Sequence, residues 1–255
     1  MSIPARKSPR GRVLLVDLGN TRLKWAWLGR SLKPGVMHAG GLPPLRPADR
    51  VLAVSVASVV VRRKFIAEVR RQTGRAPFFV RSTTQAAGVH NGYREPWRLG
   101  ADRWVALLGA RALTKDVLVV DAGTAVTLDL LDAQGVHHGG FILPGLELMA
   151  ASLFERTGGI RRRAAVSGKS ATSARATIKP NKFGTTTREA VVQGALHAIA
   201  TSVDGAVKKA GETLGRKPLV LLTGGDARRV SRALSSGFEL RPKLVLEGLA
   251  RLFKG

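Results

Sequence analysis

Two stretches of the chain open in the same way, and that repetition constrains the fold more than any other feature. Val13-Leu14-Leu15-Val16 runs into Asp17-Leu18-Gly19-Asn20-Thr21, and Val117–Val120 runs into Asp121-Ala122-Gly123-Thr124. Each apolar run has the length of a buried strand, and each acidic-glycine-hydroxyl segment reads as a turn. Apolar residues then resume as a returning strand, over Leu23–Leu28 and Val126–Leu131. Residues 17 and 121 lie 104 positions apart, a spacing too long for a stacked repeat and suited to duplication of a whole domain. The division that follows is a basic flexible tail over residues 1–11, an N-terminal domain over 12–115 and a C-terminal domain over 116–255.

The rest of the pattern alternates strands with helices. Val51–Val56 is a buried strand, and Val61–Thr73 places Phe65, Ile66 and Val69 on one helical face with arginines opposite. Phe78–Val80 is a short strand. Residues 82–99, with Gly88, Gly92 and Pro96, read as loop, and Ala101–Leu113 resumes helical spacing with Asp102 in its first turn. In the second half Val136–Leu143 is a strand, Leu146–Phe154 a helix and Arg161–Ala176 a polar, basic loop. Thr187–Ala210 is the longest helix; Leu219–Leu222, the turn Thr223-Gly224-Gly225-Asp226 and a helix near Lys243–Phe253 complete the chain. Strands followed by helices in each half predict an α/β fold with mixed sheets or, as the alternative, α+β layers.

Composition narrows the class. Hydrophobic residues make up 44% of the chain, enough for a core and too many for a disordered chain. The absence of cysteine excludes disulfide frameworks, thiolate zinc sites and cysteine nucleophiles. No apolar run approaches the ~18 residues of a membrane span, and Asp17 interrupts the first run too early for a signal-peptide core. A cytoplasmic protein without a membrane partner is expected. The 42 Lys and Arg against 17 Asp and Glu give a net charge of +25. These cations are scattered (Arg62-Arg63-Lys64, Arg161-Arg162-Arg163, Lys208-Lys209), and aromatics are only 5%, so no base-stacking platform is visible. The charge is read as a solvated surface that favours anionic substrates and permits nonspecific nucleic-acid contact, with no dedicated nucleic-acid face.

Chemistry enters at the turns. Glycine between a carboxylate and a hydroxyl lets the backbone approach a ligand, so that N–H groups point at phosphate oxygens, while the carboxylate holds a magnesium ion. One such turn equally suits an ordinary hairpin. Two, one per half, are the arrangement of paired phosphate loops around a nucleotide, with two structural hairpins as the alternative. Asp102, opening a helix after a glycine-rich loop, is placed either to meet a substrate hydroxyl or to satisfy the helix dipole. His137-His138, adjacent on a strand, point to opposite faces and do not ligate one ion together; they read as surface or turn residues.

Four ordered motifs, Asp17-Leu18-Gly19-Asn20-Thr21-Arg22-Leu23-Lys24, Gly100-Ala101-Asp102-Arg103, Asp121-Ala122-Gly123-Thr124-Ala125-Val126-Thr127 and Gly139-Gly140-Phe141-Ile142-Leu143-Pro144-Gly145, resemble those of the type III pantothenate kinases. That family lies within the acetate and sugar kinase/Hsp70/actin superfamily. The resemblance spans the chain from Val13 on. It implies two related ribonuclease H-like, actin-like domains with a nucleotide cleft between them, the two acidic turns converging on one triphosphate. It also implies ATP-dependent phosphorylation of pantothenate to 4'-phosphopantothenate, the first step of coenzyme A biosynthesis, by a homodimer.

By the same resemblance Asp17 through Lys24 form the first phosphate loop, with Asp17 beside Mg2+. Asp102 is the general base. Gly100, Ala101, Arg103, Tyr93 and Thr187 contact pantothenate, Arg103 at its carboxylate; Thr187 otherwise reads as a helix N-cap. Asp121 matches a position for a monovalent cation, K+ or NH4+, Thr124 an ATP-contacting hydroxyl, and Thr223–Asp226 the adenine border. The chain departs from the pattern at Thr157-Gly158-Gly159-Ile160-Arg161-Arg162-Arg163, where relatives carry T-A-x-L-P-x-V. The alternative function is that of the Bvg accessory factor-like relatives, a transcriptional regulator that binds DNA.

Overall fold

The computed structural model describes residues 11–19, 22–29, 33–35, 37–160 and 182–253. The expected tail, apart from Gly11, and the expected loop over Arg161–Ala176 fall outside them. The described residues divide into two compact units. The first takes those up to Thr114, the segment Ala133–His138 and those from Lys243 on; the second takes those of Lys115–Asp132 and Gly139–Pro242.

In the first unit β1 (Val13–Leu18) pairs antiparallel with β2 (Leu23–Trp27), and β2 with β3 (His38–Ala39). On its other side β1 runs parallel to β4 (Arg50–Ser55), which runs parallel to β5 (Phe78–Phe79), giving the order β3-β2-β1-β4-β5. Helix α1 (Val59–Thr73) joins β4 to β5. Ser58 caps it by accepting from Val61 N, and Gly74 closes it in the left-handed conformation. Leu14, Val16 and Leu18 meet Phe65 and Val69 of α1 in one core cluster. The stretch read as loop holds a small hairpin, β6 (Gln85–Ala86) with β7 (Val89–His90), and a 3-10 turn at Pro96–Arg98. Then comes α2 (Ala101–Ala110), whose predicted last turn tightens to 3-10 geometry at Arg111–Leu113.

Sequence gave no hint of Asp49, which is 1% exposed. Its Oδ1 accepts from Arg12 N (3.1 Å) and Nε (3.3 Å), and its Oδ2 from Arg12 Nη2 (2.8 Å) and Arg46 N (2.9 Å). Burial alone would raise the Asp49 pKa. The hydrogen bonds from Arg12 and two backbone amides outweigh it and hold the carboxyl below its ordinary value.

The second unit repeats the plan. Strands β8 (Val117–Ala122), β9 (Ala125–Leu131), β10 (His137–Pro144), β11 (Leu219–Thr223) and β12 (Phe238–Leu240) take the order β10-β9-β8-β11-β12. Counted from each unit's first strand, that is the order of the first sheet. Here too the first pair, β8 with β9, is antiparallel, while β8, β11 and β12 are parallel. Leu118, Val120, Val126 and Leu128 pack under α3 (Leu146–Arg156) and α4 (Thr187–Leu214), with Phe154, Leu196, Ile199 and Val203 as partners. Among the described residues α4 is the helix long and apolar enough to cross a membrane, by length and composition; half of its most apolar stretch is buried inside the protein. A one-turn helix α5 (Ala227–Val230) follows β11. Neither α5 nor β12 is legible in the sequence, because β12 is exposed along its length and shows no alternation.

From Lys243 the chain returns to the first unit as α6 (Leu244–Leu252). Leu244, Leu246 and Leu249 are buried, and α6 packs along α2 and onto β1 and β4. The helices touch backbone to backbone: a Cβ on Gly248 would come within 1.8 Å of Val105 O. Gly248→Ala is therefore expected to lower the unfolding free energy by about 1–3 kcal/mol through overpacking, read from urea unfolding. Wild-type stability would show that the two helices do not meet at this point.

Candidate functional site

The pleat sets up the first acidic turn. Leu14, Val16 and Leu18 point toward α1, so Val13, Leu15 and Asp17 point to the opposite face, where α2 and α6 pack. Asp17 keeps 19% of its side chain exposed and lies directly across from Lys24 in the β1–β2 register; Lys24 Nζ is 3.9 Å from its Oδ2. Leu18 is buried and ties the turn to the core, Leu23 packs at the edge of the same cluster, and Arg22 is exposed. Asn20 and Thr21 lie outside the described residues.

Gly19 N donates to Arg22 O (3.0 Å), and in the second turn Gly123 N donates to Ala125 O (3.0 Å). Both glycine amides are thus engaged in closing their own hairpins.

Burial pushes the Asp17 pKa up to about 6; Lys24 pulls it down, and the charge of Asp102 adds to the rise. Asp102 stands in the first turn of α2, whose N-cap is Gly100. Its Oδ1 accepts from Arg103 N (2.8 Å), and a Cβ on Gly100 would come within 2.8 Å of that same oxygen. The G-A-D-R order thus has a local cause: any side chain at 100 displaces the carboxylate.

Arg103 is 6% exposed, so its guanidinium is buried and not a solvated surface cation. Its Nη1 donates to Tyr93 Oη at 2.7 Å, with the guanidinium 5.5 Å from the ring centroid. Tyr93 N donates to Asn91 Oδ1 (3.0 Å), and Asn91 Nδ2 donates to Thr83 O and Pro96 O, which anchors the loop. Tyr93 also stacks on His137, which is 1% exposed. The surface reading of the histidine pair therefore fails for His137 and holds for His138, which is exposed, as strand alternation requires.

In the second unit Asp121 is the penultimate residue of β8, opposite Thr127 and beside Thr223 of β11. Thr124 is exposed at the tip. Gly224, at φ +98°, lies against this carboxylate; a Cβ there would come within 2.5 Å of Asp121 Oδ1 and 2.3 Å of Ala122 O. Gly224 is thus required by close approach to Asp121 and Ala122. Behind it Arg229 Nη1 bridges Glu147 (3.0 Å) and Asp226 (3.1 Å), a link absent from the sequence reading because Glu147, on α3, is far from the other two in the chain. Thr187 is the first residue of α4. The cap is Thr186, whose hydroxyl accepts from Glu189 N, so capping does not explain Thr187.

No group of three or more His, Cys, Asp or Glu that could hold a metal ion occurs among the described residues. The Asp17 carboxylate, partly exposed at the end of its hairpin, still fits magnesium, which is held by one or two carboxylates together with waters and substrate phosphates.

The family model for type III pantothenate kinase matches residues 13–209. A type III pantothenate kinase of Methylibium petroleiphilum is 38% identical, covering 93% of this chain and 96% of the relative. One of Laribacter hongkongensis is 36% identical, covering 94% and 98%. Among solved structures, a conserved Campylobacter jejuni protein provisionally placed in the Baf family of transcriptional activators superposes with a TM-score of 0.57 at 19% identity, covering 94% of this chain and 97% of that one. MreB5 of Spiroplasma citri bound to ADP gives 0.50 at 11% identity, covering 94% and 95%. At those identities the structures establish the shared actin-like fold.

The raised pKa of Asp17 has a measurable consequence in the metal-free protein. Its folded value of about 6 against the ordinary 3.8 means the folded state binds the proton more tightly. The associated stability is complete below 3.8 and is lost as pH rises through about 6. Asp17→Asn is expected to stabilise the protein by about 1–3 kcal/mol at pH 8 and to be near neutral at pH 4, read by thermal unfolding. Equal stability of the two proteins at pH 8 would refute the burial cost.

Proposed function

The chain belongs to the type III pantothenate kinase family, and we propose that its two acidic turns and the start of α2 divide that family's reaction among them. The reaction is transfer of the γ-phosphoryl group of ATP to the primary hydroxyl of pantothenate, giving 4'-phosphopantothenate for coenzyme A biosynthesis. The observation that supports the assignment of roles is the placement in one unit of Asp17, partly exposed at the end of the β1–β2 hairpin, and of Asp102, in the first turn of α2. One carboxylate sits on a glycine turn suited to phosphate, the other at a helix start beside a buried arginine.

Phosphoryl transfer asks the protein mainly for positioning and charge neutralisation. Asp102 accepts the hydroxyl proton as the substrate oxygen attacks phosphorus, leaving a protonated Asp102 and ADP. Arg103, its guanidinium held by Tyr93, grips the pantothenate carboxylate through two hydrogen bonds. Gly100, Ala101 and Thr187 complete the substrate contacts.

The turn from Asp17 through Leu18, Gly19, Asn20, Thr21, Arg22 and Leu23 to Lys24 holds the phosphates, with Lys24 adding positive charge, and Thr124 contributes a hydroxyl. Asp17 would hold Mg2+, which supplies neutralisation of phosphate charge. Asp121, with Ala122 O close by, is our assignment for K+ or NH4+. A cytoplasmic homodimer completes the proposal. The Bvg accessory factor-like reading is not favoured: likeness to the Campylobacter protein at 19% identity extends to the fold alone.

ADP release from ATP is expected to require pantothenate and to rise with K+; turnover indifferent to pantothenate would end the proposal. Asp102→Asn is expected to bind ATP normally, by calorimetry, while kcat falls about 10²–10⁴-fold. Wild-type kcat in that variant would remove Asp102 from proton transfer.

A further inference from the structure

The cluster around Arg103 contains one side chain to which the proposed reaction gives no task. His137 lies nearly parallel to the Tyr93 ring, with centroids 5.9 Å apart and planes 13° from one another. The same Tyr93 receives the hydrogen bond from Arg103 Nη1 at 2.7 Å. Three side chains from separate stretches of sequence therefore form one line of contact, imidazole to phenol to guanidinium.

Tyr93 needs such support. It follows a hairpin of two-residue strands and precedes a single 3-10 turn, so no long element fixes its ring. Asn91 anchors its backbone, which leaves two side-chain torsions to decide where the phenol oxygen stands. A flat, buried partner restricts both. The segment bearing His137 is itself tied to this loop: His90 N donates to Gly135 O at 2.8 Å, and His90 and Val136 form a parallel bridge. Val136 and His138 are exposed on either side, so alternation sends only the side chain of His137 inward.

We propose that His137 is a positioning residue for the substrate grip: it is the floor on which Tyr93 rests, and through Tyr93 it sets the Arg103 fork. This deepens the assignment of Arg103 to the pantothenate carboxylate and rests on it. The role needs a planar face, so another aromatic ring substitutes for histidine and a chain of similar polarity without a ring does not.

The test is steady-state kinetics on the full chain with ATP and pantothenate varied separately. His137→Gln is expected to raise the pantothenate KM about three- to tenfold, the size of one aromatic pair. Its kcat and ATP KM should stay within about twofold, the pattern of lost ground-state grip. His137→Phe is expected to bring the pantothenate KM back to within about twofold of wild type. The double variant Tyr93→Leu/His137→Gln should be no worse than Tyr93→Leu, because both act through one ring.

Unfolding curves on each variant guard against gross loss of fold, with His137→Asn replacing Gln should that protein not fold. An unchanged pantothenate KM in the Gln variant, parallel rises in both KM values, or no recovery with Phe each overturn the proposal. Arg103→Ala run beside them separates the two layers. If it leaves the pantothenate KM unchanged, the carboxylate assignment falls and the role of His137 with it. If it raises that KM while His137→Gln does not, only His137 is removed.

Discussion

In both sheets the central strand spends alternate residues on the core and turns the others to the opposite face. Leu14, Val16 and Leu18 enter one core, and Leu118, Val120 and Ala122 the other. Asp17 and Asp121 fall on the complementary positions, at the strand ends, because the side-chain period of a strand is two residues. A slip of one residue would drive each carboxylate into hydrocarbon and each leucine out of it, so the register that builds the core also aims the acids. In the first unit that same register sets Asp17 beside Val54, a fully buried neighbour on β4, and this placement desolvates the carboxylate.

Two aspartates of the first unit show how partners decide the fate of a buried charge. Asp49 is the more enclosed, yet its pKa is lowered, because four hydrogen bonds from Arg12 and Arg46 meet its oxygens. Asp17 has one lysine at 3.9 Å, and Asp102 repels it. Asp49 is therefore a fastening, whereas Asp17 retains unmet demand for positive charge, as a group intended for a ligand does. Geometry and electrostatics select the same residue that the turn motif marks.

Local rules made the longer strands, the two turns, the long helix and the helix start at Asp102 readable, since strand alternation, glycine turns and helical spacing are visible within a short window. What stayed hidden depends on residues far apart in the chain. His137 acquires its neighbour from Tyr93 across a stretch of helix and sheet, and nothing beside it in sequence marks it as buried. The use of Gly19 and Gly123 amides to close their own hairpins depends on carbonyls whose direction only the folded turn defines. Thr186 and Thr187 are chemically equivalent as caps, and one residue of helix phase separates the role of cap from that of first helical residue.

The helix that carries Asp102 and Arg103 leans on α6, and α6 is encoded after the whole of the second unit. A ribosome therefore releases α2 long before its packing partner exists. The sheet of the first unit emerges with one side bare and stays so until α6 has been made, since domains generally mature in order of synthesis and this one is discontinuous. The carboxylate proposed as general base is thus seated by a helix made only after the second unit, which ties its placement to synthesis of both units.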